Sequence, residues 1–156
     1  MQGSVTVSFN PFGRDPNDLT NATGILPNDR THMLRAQGSF EVPRVGVLLG
    51  LGFQYLTGRP YTAIAKVTLP QGVRPIFIEP FGSRRVSSQT NLAFRVSKIF
   101  RFGPARSVEV LLGVLNALND TAEEAVATSN FYSPNFTVGT DFIPPRRAMN
   151  EAKLSF

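Results

Sequence analysis

An all-β fold, an antiparallel meander of about six strands, is what this sequence predicts, and three observations predict it. Apolar and polar residues alternate along several runs with a period of two, the side-chain period of a strand. Short connections bearing Pro or Gly alternate with long ones rich in Pro, Gly, Asn, Asp and Thr. The apolar strand faces need a second layer, and the chain has neither helices nor a further set of strands to supply one. Hydrocarbon is the cover that remains, so the strands are read as transmembrane.

The elements follow in order. The first strand is expected near 4–10, where Val5, Val7 and Phe9 oppose Thr6 and Ser8. The second, near 33–42, sets Leu34, Ala36, Gly38, Phe40 and Val42 against Arg35, Gln37, Ser39 and Glu41. The third, near 45–57, puts Val45, Val47, Leu49, Leu51, Phe53 and Tyr55 on one face and Gly46, Gly50, Gly52 and Gln54 on the other. The fourth, near 91–102, opposes Leu92, Phe94, Val96, Phe100 and Phe102 to Ala93, Arg95, Ser97 and Arg101. The fifth, near 107–116, alternates Val108, Val110, Leu112 and Val114 with Glu109, Leu111 and Gly113. The last, near 149–156, alternates Ala152, Leu154 and Phe156 with Glu151, Lys153 and Ser155. Pro43-Arg44 and Gly103-Pro104-Ala105-Arg106 are read as tight hairpin turns. The connections 11–32, 58–90 and 117–148 are read as long loops without regular structure.

A membrane barrel accounts for these lengths. Spanning strands need ~9–11 tilted residues, and barrels join them by short periplasmic turns and long extracellular loops. The long connections 11–32, 58–90 and 117–148 are then extracellular, and the C-terminus lies on the periplasmic side. Phe40, Phe100, Phe102 and Phe156 fall at the periplasmic ends, while Tyr55 and Tyr61 fall near the opposite rim, as two aromatic girdles require. Lys98 falls on the lipid face; either it snorkels toward the headgroups or a bulge turns it inward. A structure in which Leu49, Phe53, Phe94 and Leu112 met inside a dry sandwich would end this reading.

Composition narrows the function. No apolar run approaches the ~20 residues of a membrane helix. The net charge of +5 is dispersed, with Arg84-Arg85 and Arg146-Arg147 as isolated pairs, so no basic stripe for nucleic acid is formed. The chain has 13 Phe and no Cys, which suits an aromatic-rich β protein without disulfides. Met1-Gln2-Gly3-Ser4 runs straight into the first strand without a basic or apolar leader. A membrane protein of this kind is therefore expected to lack its own N-terminal part here, with Met1 an internal methionine of a truncated or partially read gene.

No catalytic, cofactor or metal site can be assembled, and an enzyme is not expected. His32 stands without a Cys or a second His. Glu123-Glu124 are adjacent and diverge, with no third ligand spaced for an oxygen cage. Gly50-Leu51-Gly52 lies within a strand, not at a strand-to-helix turn, so a dinucleotide reading fails. The ligand-facing candidates are Arg59, Tyr61, Arg84, Arg85, Tyr132, Arg146 and Arg147 in the outer loops, where basic groups would concentrate anions; the other reading of the arginines is that they pair with loop carboxylates or bind lipopolysaccharide phosphates. Phe131, Tyr132 and Phe136 are candidates for stacking on a sugar or aromatic ligand, with packing inside their own loop as the default, and the inward row Arg35, Arg95 and Arg101 for holding a plug by ion pairs.

Several motifs carry a family resemblance. Asn28-Asp29-Arg30-Thr31-His32-Met33-Leu34 is followed by Leu56-Thr57-Gly58-Arg59-Pro60-Tyr61, then by Asn91-Leu92-Ala93-Phe94-Arg95-Val96-Ser97-Lys98-Ile99-Phe100. Val114-Leu115-Asn116-Ala117-Leu118-Asn119, Pro145-Arg146-Arg147-Ala148 and a strand ending in Phe156 complete the succession. From about residue 28 to 156 the chain resembles the C-terminal end of TonB-dependent outer-membrane receptors, in particular those with a carboxypeptidase-regulatory-like domain. The resemblance implies a partial segment of a 22-stranded, plugged barrel for nutrient uptake (siderophore, glycan or similar) in the cell outer membrane of a Gram-negative-type bacterium. It implies as partners the outer-membrane lipid, the remainder of the receptor barrel and its plug domain, and the TonB complex only through the missing N-terminal part. Leu154 and Phe156 resemble the signal read by the barrel-assembly machinery, with Asn150 departing from its alternation. Two other readings of the residues stand beside this one: a small outer-membrane barrel closed by oligomerising, and a soluble β-sandwich binding module.

Overall fold

A computed structural model describes residues 19–103 and 106–156. The strand expected near 4–10 and the Pro104-Ala105 part of the second turn lie outside the described residues. What is described is all-β. The strands are β1 (Met33–Val42), β2 (Val47–Leu56), β3 (Pro60–Tyr61), β4 (Ile64–Leu69), β5 (Gly72–Phe77), β6 (Arg84–Arg85), β7 (Gln89–Arg101), β8 (Ser107–Leu115), β9 (Glu123–Val126), β10 (Gly139–Phe142) and β11 (Arg147–Ser155). All pairings between these strands are antiparallel. The largest sheet has the order β1-β2-β7-β8-β11, and β3-β6, β4-β5 and β9-β10 form separate two-stranded sheets; none closes into a barrel.

The chain divides into two units. The sheet unit holds Arg30–Arg59, Val86–Ala125 and Gly139–Phe156; the loop unit holds the described residues up to Asp29 with Pro60–Arg85 and Val126–Val138.

In the sheet unit, alternation and register agree across the five strands. Phe40 lies opposite Leu49, Leu49 opposite Val96, and Val96 opposite Leu112. The neighbouring row is Gly38, Leu51, Phe94, Val114 and Ala148. Directly opposed residues share a face, so the apolar sets of all five strands form one surface. The opposite face carries the row Ser39, Gly50, Arg95, Gly113 and Met149, which lies between these two, and, further along, the polar row Arg35, Gln54 and Asn91. A one-residue slip anywhere would scramble both faces.

The apolar surface is open. Leu49 is 39% exposed, Phe94 43% and Leu112 58%, with Phe53 half-buried. These side chains do not meet inside a dry sandwich. Lys98 stays on that surface: the β7–β8 ladder runs unbroken from Phe94–Val114 to Arg101–Ser107, with Lys98 opposite Val110. No bulge turns it inward. Its ammonium instead lies 5.1 Å from the centre of the Phe100 ring, toward the end of the strand.

Two expectations need correction. The β1–β2 turn is not the two-residue Pro43-Arg44. It spans four residues, with the Val45 and Gly46 N–H groups donating to the Val42 carbonyl at 3.1 and 2.9 Å. Gly46 closes it at φ 63°, a left-handed conformation open to glycine, so Val45 belongs to the turn and not to the strand. Nor are the connections after β2 and β8 structureless, since they contain β3 to β6 and β9 with β10.

The loop unit builds a small core of its own. Ala63, Ile64, Ala65 and Phe77 are buried, and Phe77 meets Phe81 edge-to-face at 5.3 Å between ring centres. The β4–β5 hairpin turns at Pro70-Gln71, with Leu69 opposite Gly72 and Ile64 opposite Phe77. Irregular segments are tied in by backbone bonds: Ile64 N–H to the Ser129 carbonyl at 2.8 Å, and Phe131 N–H to the Ile64 carbonyl at 2.9 Å.

Candidate functional site

The expected ligand-facing residues fall into both units. Tyr61, Arg84, Arg85 and Tyr132 belong to the loop unit, and Arg59, Arg146 and Arg147 to the sheet unit. Tyr61 pairs with Arg84 across the β3–β6 ladder.

Within the loop unit, Arg84 is already engaged. Its Nε donates to both Glu79 oxygens, at 2.8 and 3.0 Å, and its guanidinium lies 5.2 Å from the centre of the Phe136 ring. Burial pushes the Glu79 carboxyl upward, but hydrogen bonds from the Ala63 N–H, Arg84 and Ser83, with the Arg84 charge, outweigh it and hold the carboxyl below its ordinary value. Arg85 pairs with Asp29 at 3.4 Å and also donates to the Asp29 carbonyl. Phe131 packs edge-to-face on Tyr132 and on Phe136, with ring centres 5.6 and 5.3 Å apart, yet Tyr132 is 75% exposed. These arginines and aromatics therefore hold the loop unit together, with Tyr132 and, less so, Phe131 keeping the larger free surfaces.

In the sheet unit, the hollows take most of their lining from the polar face, although one of about 620 Å³ also touches Gly38, Leu51 and Phe94 of the apolar rows. One of about 720 Å³ is lined by Arg35, Gln37, Gln54, Asn91, Asn116 and Arg147, among others. Arg147 is therefore a strand residue of the polar face, opposite Leu115, and not a loop residue. Arg146 is exposed, and its backbone N–H donates to Asn119 Oδ1 at 3.1 Å. A second hollow of about 420 Å³ brings Arg59 together with Arg30, Arg35, Gln54, Gln89 and Glu124. A third, of about 220 Å³, is lined by Arg95, Glu109, Leu111, Glu151 and Lys153, again from the polar face.

The second hollow carries three guanidinium groups and one carboxylate. Burial, then repulsion from Arg59, lowers the Arg30 value from its ordinary level, with Glu124 acting the other way. Arg30 donates to the Thr57 carbonyl at 3.0 Å, and Gln89 Nε2 donates to Glu124 Oε1 at 3.2 Å. With the Gln54 amide oriented to satisfy both groups, its oxygen accepts from Arg35 Nε at 2.9 Å and from a terminal nitrogen at 3.1 Å. Among the described residues, Arg30, Arg35 and Arg59 make no ion pair within 4.0 Å. Glycine shapes the adjoining segment: a Cβ on Gly58 would run into the Val86 carbonyl oxygen, so only glycine lets the two backbones approach there.

Sequence reasoning passed over one organising residue. Asn116 is buried at φ 49°, and its Nδ2 donates to the Asp120 and Pro144 carbonyls, both at 2.9 Å, while its Oδ1 accepts from the Asp120 N–H at 3.0 Å. Asp120 in turn accepts from the Thr90 N–H at 2.6 Å and the Ala122 N–H at 3.1 Å. This network ends β8 and holds Pro144 over the larger hollow. The signal was Asn followed four residues later by Asp just past an apolar strand, a pattern of turn chemistry. Glu123 and Glu124 accept from Ser87 and Gln89 respectively, and no group of three His, Cys, Asp or Glu among the described residues could hold a metal ion.

Comparison with known proteins yields no matching family model, no matching curated protein and no matching solved structure.

Proposed function

We propose that this chain is the C-terminal barrel segment of a TonB-dependent outer-membrane receptor, where it walls the pore and carries extracellular loops. One observation carries the membrane part of this reading. Five antiparallel strands share a register that gathers their apolar residues on an uncovered face, while the hollows take most of their lining from the polar face. A barrel wall between hydrocarbon and a polar lumen needs both features. The receptor part rests on the succession of motifs from residue 28 to 156, and the transported ligand, the plug and the TonB complex enter with it.

Single cysteines test the membrane part cleanly, because the chain has none of its own. Spin-labelled Leu49→Cys, Phe94→Cys and Leu112→Cys in lipid vesicles are expected to collide with an acyl-chain quencher. Gly50→Cys, Arg95→Cys and Glu109→Cys are expected to collide with a water-soluble one. Equal access along a strand, or a monodisperse monomer in detergent-free buffer, would favour a soluble β-sandwich. SDS-resistant multimers of the chain alone would favour the small oligomeric barrel. For the receptor part, upstream genomic sequence encoding an in-frame plug domain is the expected finding.

A further inference from the structure

The hollow at the Arg59 end of the sheet has a charge that its own walls leave unbalanced. Three guanidinium groups (Arg30, Arg35 and Arg59) face one carboxylate, Glu124, a net of two positive charges in about 420 Å³. Arg35 is fixed by Gln54 and Arg30 by the Thr57 carbonyl, both neutral partners that leave the charge unspent. Gln89 holds Glu124, so the one carboxylate present is already tethered by a neighbour. Like charges held together by the fold, without ion-pair partners among the described residues, favour an anion that can bridge them. The amides of Gln54, Gln89 and Asn91 add neutral polar groups to the same wall. Arg85 and Arg84, by contrast, have carboxylates beside them.

We propose that this hollow binds a diffusible anion bearing carboxylate or phosphate groups, held by Arg30, Arg35 and Arg59 on the polar face of the sheet. The proposal deepens the receptor reading and rests on it for the hollow's access to the outside. Glu124 opposes the bound charge and so lowers affinity. A lipid headgroup is the other source of such chemistry, but lipid is expected on the opposite, apolar face.

The test uses the full chain refolded in zwitterionic detergent micelles and titrated calorimetrically with citrate, with inorganic phosphate, and with a neutral citrate triester. Saturable binding of citrate or phosphate but not of the ester is expected. Arg30→Gln and Arg59→Gln should each weaken it about tenfold, the scale of losing a charge-assisted bidentate contact. Arg59→Lys should recover part of that loss, and Arg101→Gln, at the other end of β7, should change nothing. Glu124→Gln should tighten binding severalfold, a gain that misfolding cannot mimic. The proposal falls if neither anion binds saturably, if Arg101→Gln weakens binding as much as Arg59→Gln does, or if Glu124→Gln fails to tighten it. Binding that appears only with anionic lipid in vesicles also overturns it. Labels that show lipid on the Leu49 face while citrate fails to bind would defeat this proposal alone. Citrate binding with no lipid-facing labels would defeat the receptor reading and leave the hollow standing.

Discussion

The sheet unit and the loop unit invert the usual division of labour between regular and irregular structure. The sheet has long strands and an unbroken ladder, yet Leu51, Phe94, Leu112 and Leu154 stand between 43 and 61% exposed. The loop unit has strands of two to six residues, yet Ala63, Ile64 and Phe77 are at most 9% exposed. Hydrogen bonding organises the first unit and burial the second. The difference teaches where each unit's missing free energy must come from. The loop unit buries a small apolar core of its own, whereas the sheet's apolar face stays open among the described residues.

That contrast can be broken from either side. The largest effect is expected from Phe77→Ala, which empties the loop unit's core and should cost that unit about 4 kcal/mol, the scale of a buried phenylalanine truncation. Limited proteolysis should then cut the β4–β5 hairpin rapidly while the β7–β8 segment stays protected; protection lost in both would show that the two units fold as one. Next comes Leu112→Arg. In lipid vesicles it should cost ~2–4 kcal/mol by urea unfolding, the midplane penalty for a lipid-facing cation, while Gly50→Arg on the polar face should cost far less. Equal costs for the two substitutions would remove the distinction between the faces. Asn116→Ala removes three hydrogen bonds and should cost about 2–3 kcal/mol at roughly 1 kcal/mol each. Its mark would be faster amide exchange at Thr90 and Ala122, whose N–H groups depend on Asp120.

The smallest effect is set by pH. Because the fold holds the Glu79 carboxyl below its ordinary value, the stability it contributes is present above the unfolded carboxylate pKa of ~4.3 and is lost as pH falls through the lower folded value. Amide exchange at Ala63, which donates to Glu79 Oε1 at 2.8 Å, should rise over that window. Glu79→Gln should flatten the response, and an unchanged pH profile in that variant would remove Glu79 as its source.

Much of the sheet was legible because alternation is a direct image of the pleat. Leu34 to Val42 and Asn91 to Phe100 need no long-range information to declare two faces, and the antiparallel order follows from the turns. The loop unit was not legible for a physical reason. Pro75 sits inside β5, where proline argues against a strand, and it is tolerated because this two-stranded hairpin has no third strand to need its N–H. The alternation from Ile64 to Leu69, closed by Pro70-Gln71-Gly72, was a usable hairpin signal that the surrounding prolines obscured. The candidate site was legible as residue types but not as partnerships. Pairing of Arg84 and Arg85 with loop carboxylates was an open reading of the sequence, but only the fold names Glu79 and Asp29 as the partners, and only the fold brings Arg30 and Arg35 together with Arg59.

On the proposed membrane reading, Lys98 has a consequence for the kind of bilayer this sheet can occupy. It lies three residues before the end of β7, roughly 10 Å along the strand at ~3.3 Å per residue, and leans still closer through its contact with Phe100. An ammonium held there works as a depth gauge, comfortable only while phosphates lie within reach of its four-carbon stem. Lengthening the acyl chains would submerge it. Thin bilayers should therefore admit this sheet more readily than thick ones, and Lys98→Leu should erase that preference.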